Sequence, residues 1–385
     1  MSDPKTILVL GGGVGGLVAA NGLRRELPAP HRVVLIEREA SHVFAPSLLW
    51  VMVGARTLPE ISADLGGLGR KGIDVVRGEV ESFDPERRQV VVGGRVLSGD
   101  YVVLALGAEF CPEAVPGLAE GGQTFCTPAG AEALRRSLAE FRGGRVLILT
   151  AAPAYKCPAA PYEAAMLLDA DLRQRGLRDR TQIDLFAAEP GPMGVAGPEV
   201  SRGVRAMVES KGIGYHPEHQ VVGVDAAARR VRFSNGVEAG YDLLVYVPGH
   251  RAPRVVADAG LVGDSGGVSV DRHTLATRLE GVYAIGDVTS IPLRLGKPLP
   301  KAGVFAHAQA EVVARSISRA ITGAGRPASF DGHGECFVET GGGKAGFGSG
   351  DFYAEPVPRV RLRGPGRVWH AGKVLFEKLW LWRWF

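Results

Sequence analysis

Residues 6–37 read TILVLGGGVGGLVAANGLRRELPAPHRVVLIE, and this stretch decides the fold. The apolar run Thr6–Leu10 suits a buried strand, Leu17–Glu26 has helical spacing, and Val33–Ile36 is a second apolar run closed by Glu37. Between the first strand and the helix stand Gly11-Gly12-Gly13-Val14-Gly15-Gly16, a GxGxxG pattern with Gly11, Gly13 and Gly16 at its fixed positions. Glycines there permit the tight turn and let backbone amides, those of Val14 and Gly15 included, approach a pyrophosphate at the positive end of the helix. Glu37 follows Gly16 by twenty-one residues, where an acidic side chain accepts hydrogen bonds from an adenosine ribose and repels a 2′-phosphate. Strand, glycine turn, helix, strand and acid in this order predict a dinucleotide-binding βαβ unit.

The rest of the chain is long enough for a second unit, since 385 residues exceed the usual span of one domain. Glycine is in excess, with 54 copies, so many backbone positions need a conformation or close approach that a side chain forbids. The net charge of +4 is too small to imply a nucleic-acid partner. It is also uneven: residues 359–385 hold seven Lys or Arg against one acid, a net of +6, which leaves the other 358 residues at −2. Four of the five tryptophans, Trp369, Trp380, Trp382 and Trp384, lie in that same tail. The four cysteines, Cys111, Cys126, Cys157 and Cys336, are too scattered for a disulfide scaffold and lack zinc spacing, so no metal is expected. The start, MSDPKTILVL, has no signal-peptide pattern, and no run of 18 apolar residues spans a bilayer. Synthesis and residence on the cytoplasmic side follow as the expectation.

Further strands are expected at Asp74–Val76, Gln89–Val92 and Tyr101–Leu104. After residue 110 a second α/β succession begins: helix Pro128–Phe141, strand Val146–Leu149, helix Ala160–Arg175, strand Ile183–Phe186 and helix Pro198–Lys211. Leu243–Val247 and GVYAIGD (281–287) read as strands returning to the first domain, and a long helix starts at Gly303. The expected class is α/β, with two Rossmann-like dinucleotide-binding domains, the second inserted in the first. Residues 1–110 and 243–330 form the first domain, 111–242 the second, and 331–385 a C-terminal region that ends in a membrane-associating helix.

Two later segments distinguish FAD from NAD. LALGAE (104–109), with Ala105 and Gly107, and YAIGDV (283–288), with Asp287, resemble the secondary signatures of FAD-dependent pyridine-nucleotide-disulfide reductases. By that resemblance Asp287 contacts the ribityl or pyrophosphate part of FAD, and Val80 contacts adenine through its backbone. In the second unit the strand RVLILT (145–150) runs into AAPAYKCPAAP, with no glycine from Thr150 to Arg175. Prolines remove amide donors where a second pyrophosphate needs them, so NADH binding is not expected.

The same segment carries Cys157, and Cys336 opens ECFVETGGGKAGFG (335–348). With FAPSLLWVMVG (44–54), AYKCPAAPYE (154–163) and LPKAGVFAHAQ (299–309), the chain resembles the sulfide:quinone oxidoreductases and the flavoprotein subunit of flavocytochrome c sulfide dehydrogenase. The resemblance implies that Cys157 and Cys336 form a redox disulfide beside the flavin, which hydrosulfide opens to a persulfide and a thiolate. Glu163 then matches a carboxylate near the sulfide pocket that serves as a base. Cys126 matches a third cysteine whose roles range from sulfur transfer to a covalent flavin link. The family's histidines at the places of Gly130 and Pro192 are missing, which marks a divergent subtype. Lys156 is placed to favour a Cys157 thiolate if it points inward. Lys301 and the helix beginning at Gly303 are expected at the pyrimidine end of the flavin, where positive charge stabilises the reduced ring. His307 stands where relatives often carry glutamate, and reads as a core histidine.

The tail bears on the electron acceptor. Gly372–Phe385 reads as a helix apolar over most of its circumference, with Lys373, Lys378 and Arg383 dispersed and aromatics at its end. It is too short to cross a bilayer but suits the headgroup interface, so a peripheral position on the cell membrane and a membrane quinone are expected. A cytochrome c acceptor, a type II NADH dehydrogenase and a non-catalytic FAD-binding scaffold are the rival readings. A homo-oligomer is left open.

Overall fold

The apolar runs become the parallel strands of two sheets. In a computed structural model of the protein, which describes residues 3–385, the first sheet has the order Val282–Ala284, Tyr101–Leu104, Thr6–Leu10, Arg32–Glu37, Asp74–Arg77, all parallel. Thr6–Leu10 lies at its centre and is covered on both faces, which is why it reads as a continuous apolar run. Ile7 and Val9 face the helices Val14–Glu26 and Gly303–Thr322, while Leu8 and Leu10 face a three-stranded antiparallel layer, Val80–Asp84, Gln89–Val92 and Arg95–Ser98. The two helices approach closely because their contact is small: a Cβ on Gly22 would stand 3.0 Å from that of Ala314.

The second sheet repeats the plan, with order Gly214–His216, Thr181–Phe186, Gly144–Thr150, Leu243–Val247. Here one expectation is corrected. Leu243–Val247 does not return to the first domain but pairs with Gly144–Thr150, Val146 opposite Leu243 and Thr150 opposite Val247. All five of its residues are buried, and an apolar run has no feature that tells one parallel sheet from another. The chain recrosses just after it, where His250–Arg251 pairs antiparallel with Glu109–Phe110, and the true returning strand is Val282–Ala284.

Residues His333–Gly341, Lys344–Asp351 and Arg359–Gly366 form an antiparallel sheet that leads into the helix Arg367–Trp384. This helix begins five residues earlier than expected and has two different faces. Lys373, Glu377, Trp380 and Trp384, spaced four, three and four apart, are buried against the body. Val368, Leu375, Leu379 and Trp382 form the opposite stripe with Phe376 beside it, and Trp382 is 78% exposed. No helix among the described residues is long and apolar enough to cross a membrane.

The docked face is held by specific contacts. Glu377 accepts from Ser47 Oγ at 2.5 Å and from Arg56 Nε at 2.9 Å. Trp380 Nε1 donates to His42 Nε2 at 3.1 Å, and His42 Nδ1 donates to the Gly12 carbonyl at 2.9 Å. Burial lowers the His42 pKa, so the ring is neutral and carries its proton on Nδ1. The C-terminal helix is thus tied to the glycine loop through one imidazole. Glu377→Ala strands the largely buried Arg56 guanidinium. It is expected to lower the unfolding free energy by about 2–3 kcal/mol, because Arg56 keeps some solvent. Urea unfolding checks the magnitude, and limited proteolysis should make its first cuts within 367–385.

Candidate active site at the junction of two sheets and the C-terminal helix

The carboxyl ends of the first-sheet strands form a glycine-lined cradle. Gly11 has φ +102°, and a Cβ on Gly16 would lie 1.7 Å from the Gly11 carbonyl oxygen, so both positions require glycine for the helix to start this close to the strand. Around Gly13 nothing stands within 4 Å of a would-be Cβ, and no side chain caps the helix Val14–Glu26. The first-turn amides, Val14 and Gly15 among them, have no partner within the helix. Glu37 Oε2 accepts the Gly12 amide at 2.6 Å, which fixes the carboxylate at the lip of the cradle.

The other cofactor residues expected from the sequence lie around the same edge. Ala105 donates its amide to the Leu10 carbonyl at 2.8 Å, and Gly107 turns with φ +71° into open space. Val80 begins the layer beneath, two residues after Gly78, whose amide donates to the Glu37 carbonyl. Gly303 opens the second uncapped helix, and a Cβ on it would lie 3.5 Å from Val14. Asp287 follows the returning strand and pairs with Lys156 at 3.2 Å. Two uncapped helix N-termini, a clear glycine surface and a ribose-height carboxylate fit the adenine dinucleotide FAD.

Two lysines are fixed by partners on the Asp287 loop. Lys301 Nζ donates to the carbonyls of Asp287 and Thr289 at 2.7 and 2.9 Å, and burial lowers its pKa. Its charge braces the Asp287 loop rather than pointing freely into the cradle. Lys156 turns away from Cys157 to Asp287 and lies 4.8 Å over the Phe110 ring.

The cysteine loop leaves the second sheet after Thr150. Cys157 is held in the left-handed region at φ +56°, its amide donating to the Lys301 carbonyl at 2.9 Å and its carbonyl accepting from Ala160. That conformation costs a non-glycine residue about 1–2 kcal/mol, so the surrounding bonds impose it. Cys336 enters from the strand His333–Gly341, and Cys126 from the turn before Pro128–Glu140. The three are free thiols, and Cys336 and Cys126 both act on Cys157, whereas Cys111 stands apart beside Arg251. Burial pushes Cys336 up to about 12 and Cys126 up to about 11. Cys157 is exposed, yet the protein packed around its sulfur pushes this thiol too well above the ordinary value.

The cation beside these thiols is Lys373, from the C-terminal helix. It is 4% exposed, and its Nζ donates to Glu163 Oε1 at 3.0 Å. Glu163 is buried as well, and the same oxygen accepts the Glu339 amide at 2.9 Å. His370 Nδ1 stands 3.0 Å from the Glu339 carboxylate. Burial opposes the charge on Lys373, but Glu163 and Glu339 outweigh it and raise its pKa, so it stays protonated. Its charge favours the Cys157 and Cys336 thiolates, while the Glu163 carboxylate beside it opposes them more strongly. Burial raises the pKa of Glu339. Glu339 and His370 were not singled out in the sequence, and Lys373 was named only among the dispersed cations of the tail. The available signal was that His370, Lys373 and Glu377 share one helical face with Trp380, which marks charges paired within the protein.

Two further positions bear on the missing histidines. A Cβ on Gly130 would strike the Thr124 carbonyl oxygen at 2.3 Å, so no side chain fits there. Pro192 precedes Met193, which has φ +49°. His307 lies 5.6 Å from the rings of both Trp380 and Trp384, and burial lowers its pKa.

Comparison with known proteins agrees with this geometry. The model of the pyridine nucleotide-disulphide oxidoreductase family matches residues 5–311. The sulfide-quinone reductase of Aquifex aeolicus is 29% identical over 98% of this chain and 91% of its own length. The mitochondrial sulfide:quinone oxidoreductase of Mus musculus is 24% identical over 91% of this chain and 79% of its own. The X-ray structure of the Aquifex aeolicus sulfide:quinone oxidoreductase superposes with a TM-score of 0.90 at 27% identity, covering 99% of this chain and 91% of that one. The chain is thus an FAD-holding oxidoreductase that belongs to the pyridine nucleotide-disulphide oxidoreductase family, in its sulfide:quinone oxidoreductase branch.

Proposed function

We propose that the protein oxidises sulfide at the Cys157–Cys336 pair and delivers the electrons to a quinone at the membrane surface. The observation that carries this reading is the buried Lys373–Glu163 ion pair, both of whose charges act on Cys157 and Cys336, thiols that arrive from separate elements. FAD, held by the glycine cradle, Glu37 and the two helix N-termini, supplies a two-electron carrier when bound. In the oxidised state a Cys157–Cys336 disulfide is the electrophile. Hydrosulfide attacks one sulfur, a new S–S bond forms as the old one breaks, and the products are a cysteine persulfide and a cysteine thiolate. Lys373 stabilises that thiolate, since a buried anion needs a fixed cation nearby. Glu163 accepts the proton of H2S, and the Glu339–His370 pair leads from there toward the surface, where His370 is 32% exposed. Cys126, which perturbs the titration of Cys157, is placed to receive or pass on sulfur.

The exposed stripe of the C-terminal helix is the membrane face. Leu375, Phe376, Leu379 and Trp382 each contribute about 1.5–3 kcal/mol when removed from water, and the exposed Lys378 and Arg383 suit anionic headgroups. The acceptor site lies beside this helix, near His307, Trp380 and Trp384.

Anaerobic sulfide should bleach the flavin absorbance of the purified protein, a short-chain quinone should restore it, and NADH should leave it unchanged. Cys157→Ser and Cys336→Ser should each lose the sulfide step by about 10³-fold or more; parental rates in both would sink the cysteine mechanism. Lys373→Met should slow sulfide-dependent bleaching at least tenfold and destabilise the fold by about 3 kcal/mol, since it leaves Glu163 buried and unpaired. Adding Glu163→Gln should recover most of that stability without recovering the rate. Alkylation of reduced Cys336 should accelerate about tenfold per pH unit from pH 7 to 10, because its thiol titrates only near 12. Replacing Leu375, Leu379 and Trp382 by serine should move the protein from membranes to the soluble fraction while sulfide still bleaches the flavin; retention on membranes would count against this face.

A further inference from the structure

The second sheet is built like the first, and it too follows its second strand with a carboxylate. In the first, Glu37 comes after Ile36 and reaches the loop beyond the central strand, where Oε2 accepts the Gly12 amide at 2.6 Å. In the second, Glu189 comes three residues after Phe186 and reaches the end of Gly144–Thr150, where Oε2 accepts the Thr150 hydroxyl at 2.9 Å. The surroundings differ. Glu37 stands at an open cradle, whereas Glu189 is 9% exposed and its other oxygen accepts from two phenols, Tyr162 at 2.6 Å and Tyr155. Burial and the adjacent carboxylate hold both phenols well above their ordinary values, so they remain donors. The carboxylate that would meet a second nucleotide's ribose is consumed by the chain's own hydroxyls.

Those hydroxyls belong to the cysteine loop. Tyr155 precedes Cys157 by two residues, and Tyr162 follows it by five, one turn into the helix Ala160–Gln174. Between them the backbone makes its left-handed turn at Cys157, with the Lys301 carbonyl holding the Cys157 amide. Both ends of the loop therefore converge on one buried carboxylate. We propose that Glu189 is a positioning residue for Cys157: through Tyr155 and Tyr162 it clamps the loop in its left-handed conformation and so fixes where the thiol stands. Its consequence for turnover rests on the reading of Cys157 as the sulfide-reactive cysteine; the clamp itself does not.

The test uses the full-length flavoprotein with Glu189→Gln, which keeps the volume and removes the charge. Carbamidomethylation of the reduced protein by iodoacetamide, followed by peptide mass spectrometry, should show Cys157 labelling about fivefold faster or more, with Cys111 labelling at the parental rate. Sulfide-dependent bleaching should slow about tenfold or more, because a displaced Cys157 meets Cys336 poorly and the disulfide that hydrosulfide opens forms less readily, while quinone reoxidation of dithionite-reduced protein is unchanged. Tyr155→Phe, which removes one hydroxyl and keeps the ring, should shift Cys157 labelling in the same direction by a smaller factor, and decides the matter if Glu189→Gln does not fold. Parental Cys157 labelling in the folded variants overturns the proposal, as does equal acceleration at Cys111, which would report general loosening. Failure of sulfide to bleach the parent flavin would sink the sulfide reading instead, and the labelling would still decide the clamp.

Discussion

The site depends on one buried ion pair, Lys373 with Glu163. Placing two charges at 4% and 3% exposure costs several kcal/mol in desolvation, and their attraction offsets this only when other hydrogen bonds complete the arrangement. Here the Glu339 amide supplies one such bond, and the Glu339–His370 pair continues the charged group toward the surface. An apolar pair of the same volume would hold the helix equally well. What it would lack is charge acting on Cys157 and Cys336: Lys373 favours their thiolates and Glu163 opposes them, so in the proposed chemistry the cation acts unopposed only when Glu163 has taken up a proton.

The pair also explains why the C-terminal helix is part of the catalytic body. Its docked face touches the cysteine site through Lys373, the 47–56 segment through Glu377, and the glycine loop through Trp380 and His42. Its opposite face carries the exposed apolar stripe. One helix thus joins the proposed membrane surface to both the thiols and the dinucleotide cradle, and removing it takes away the cation as well as the proposed anchor.

The dinucleotide cradle was legible because its constraint is local. A Cβ on Gly16 collides with a residue five positions earlier, so the glycine pattern shows in the sequence itself. The cysteines were legible only as part of a family likeness, since Cys126, Cys157 and Cys336 are far apart in the chain. The partners of Lys156 and Lys301 were not legible, for a common reason. Sequence proximity to a site says nothing about which carbonyl or carboxylate an ammonium on a flexible stem will find, and both found partners on the Asp287 loop. Leu243–Val247 was assigned to the wrong sheet because strand pairing is a long-range choice that an apolar run leaves open.

By itself, the sequence determined the two α/β units, the FAD loop with Glu37, the absence of a second glycine loop and the separate character of the basic, tryptophan-rich tail. These rest on steric and periodic constraints that act within a few residues or one turn of helix. Tertiary structure alone decided that Lys373 rather than Lys156 acts on Cys157 and Cys336, that Glu163 is buried and paired, and that Glu189 is taken by Tyr155 and Tyr162. Each joins groups from separate elements, and the energy of a buried charge or hydroxyl depends on partners that only the folded chain brings within 3 Å.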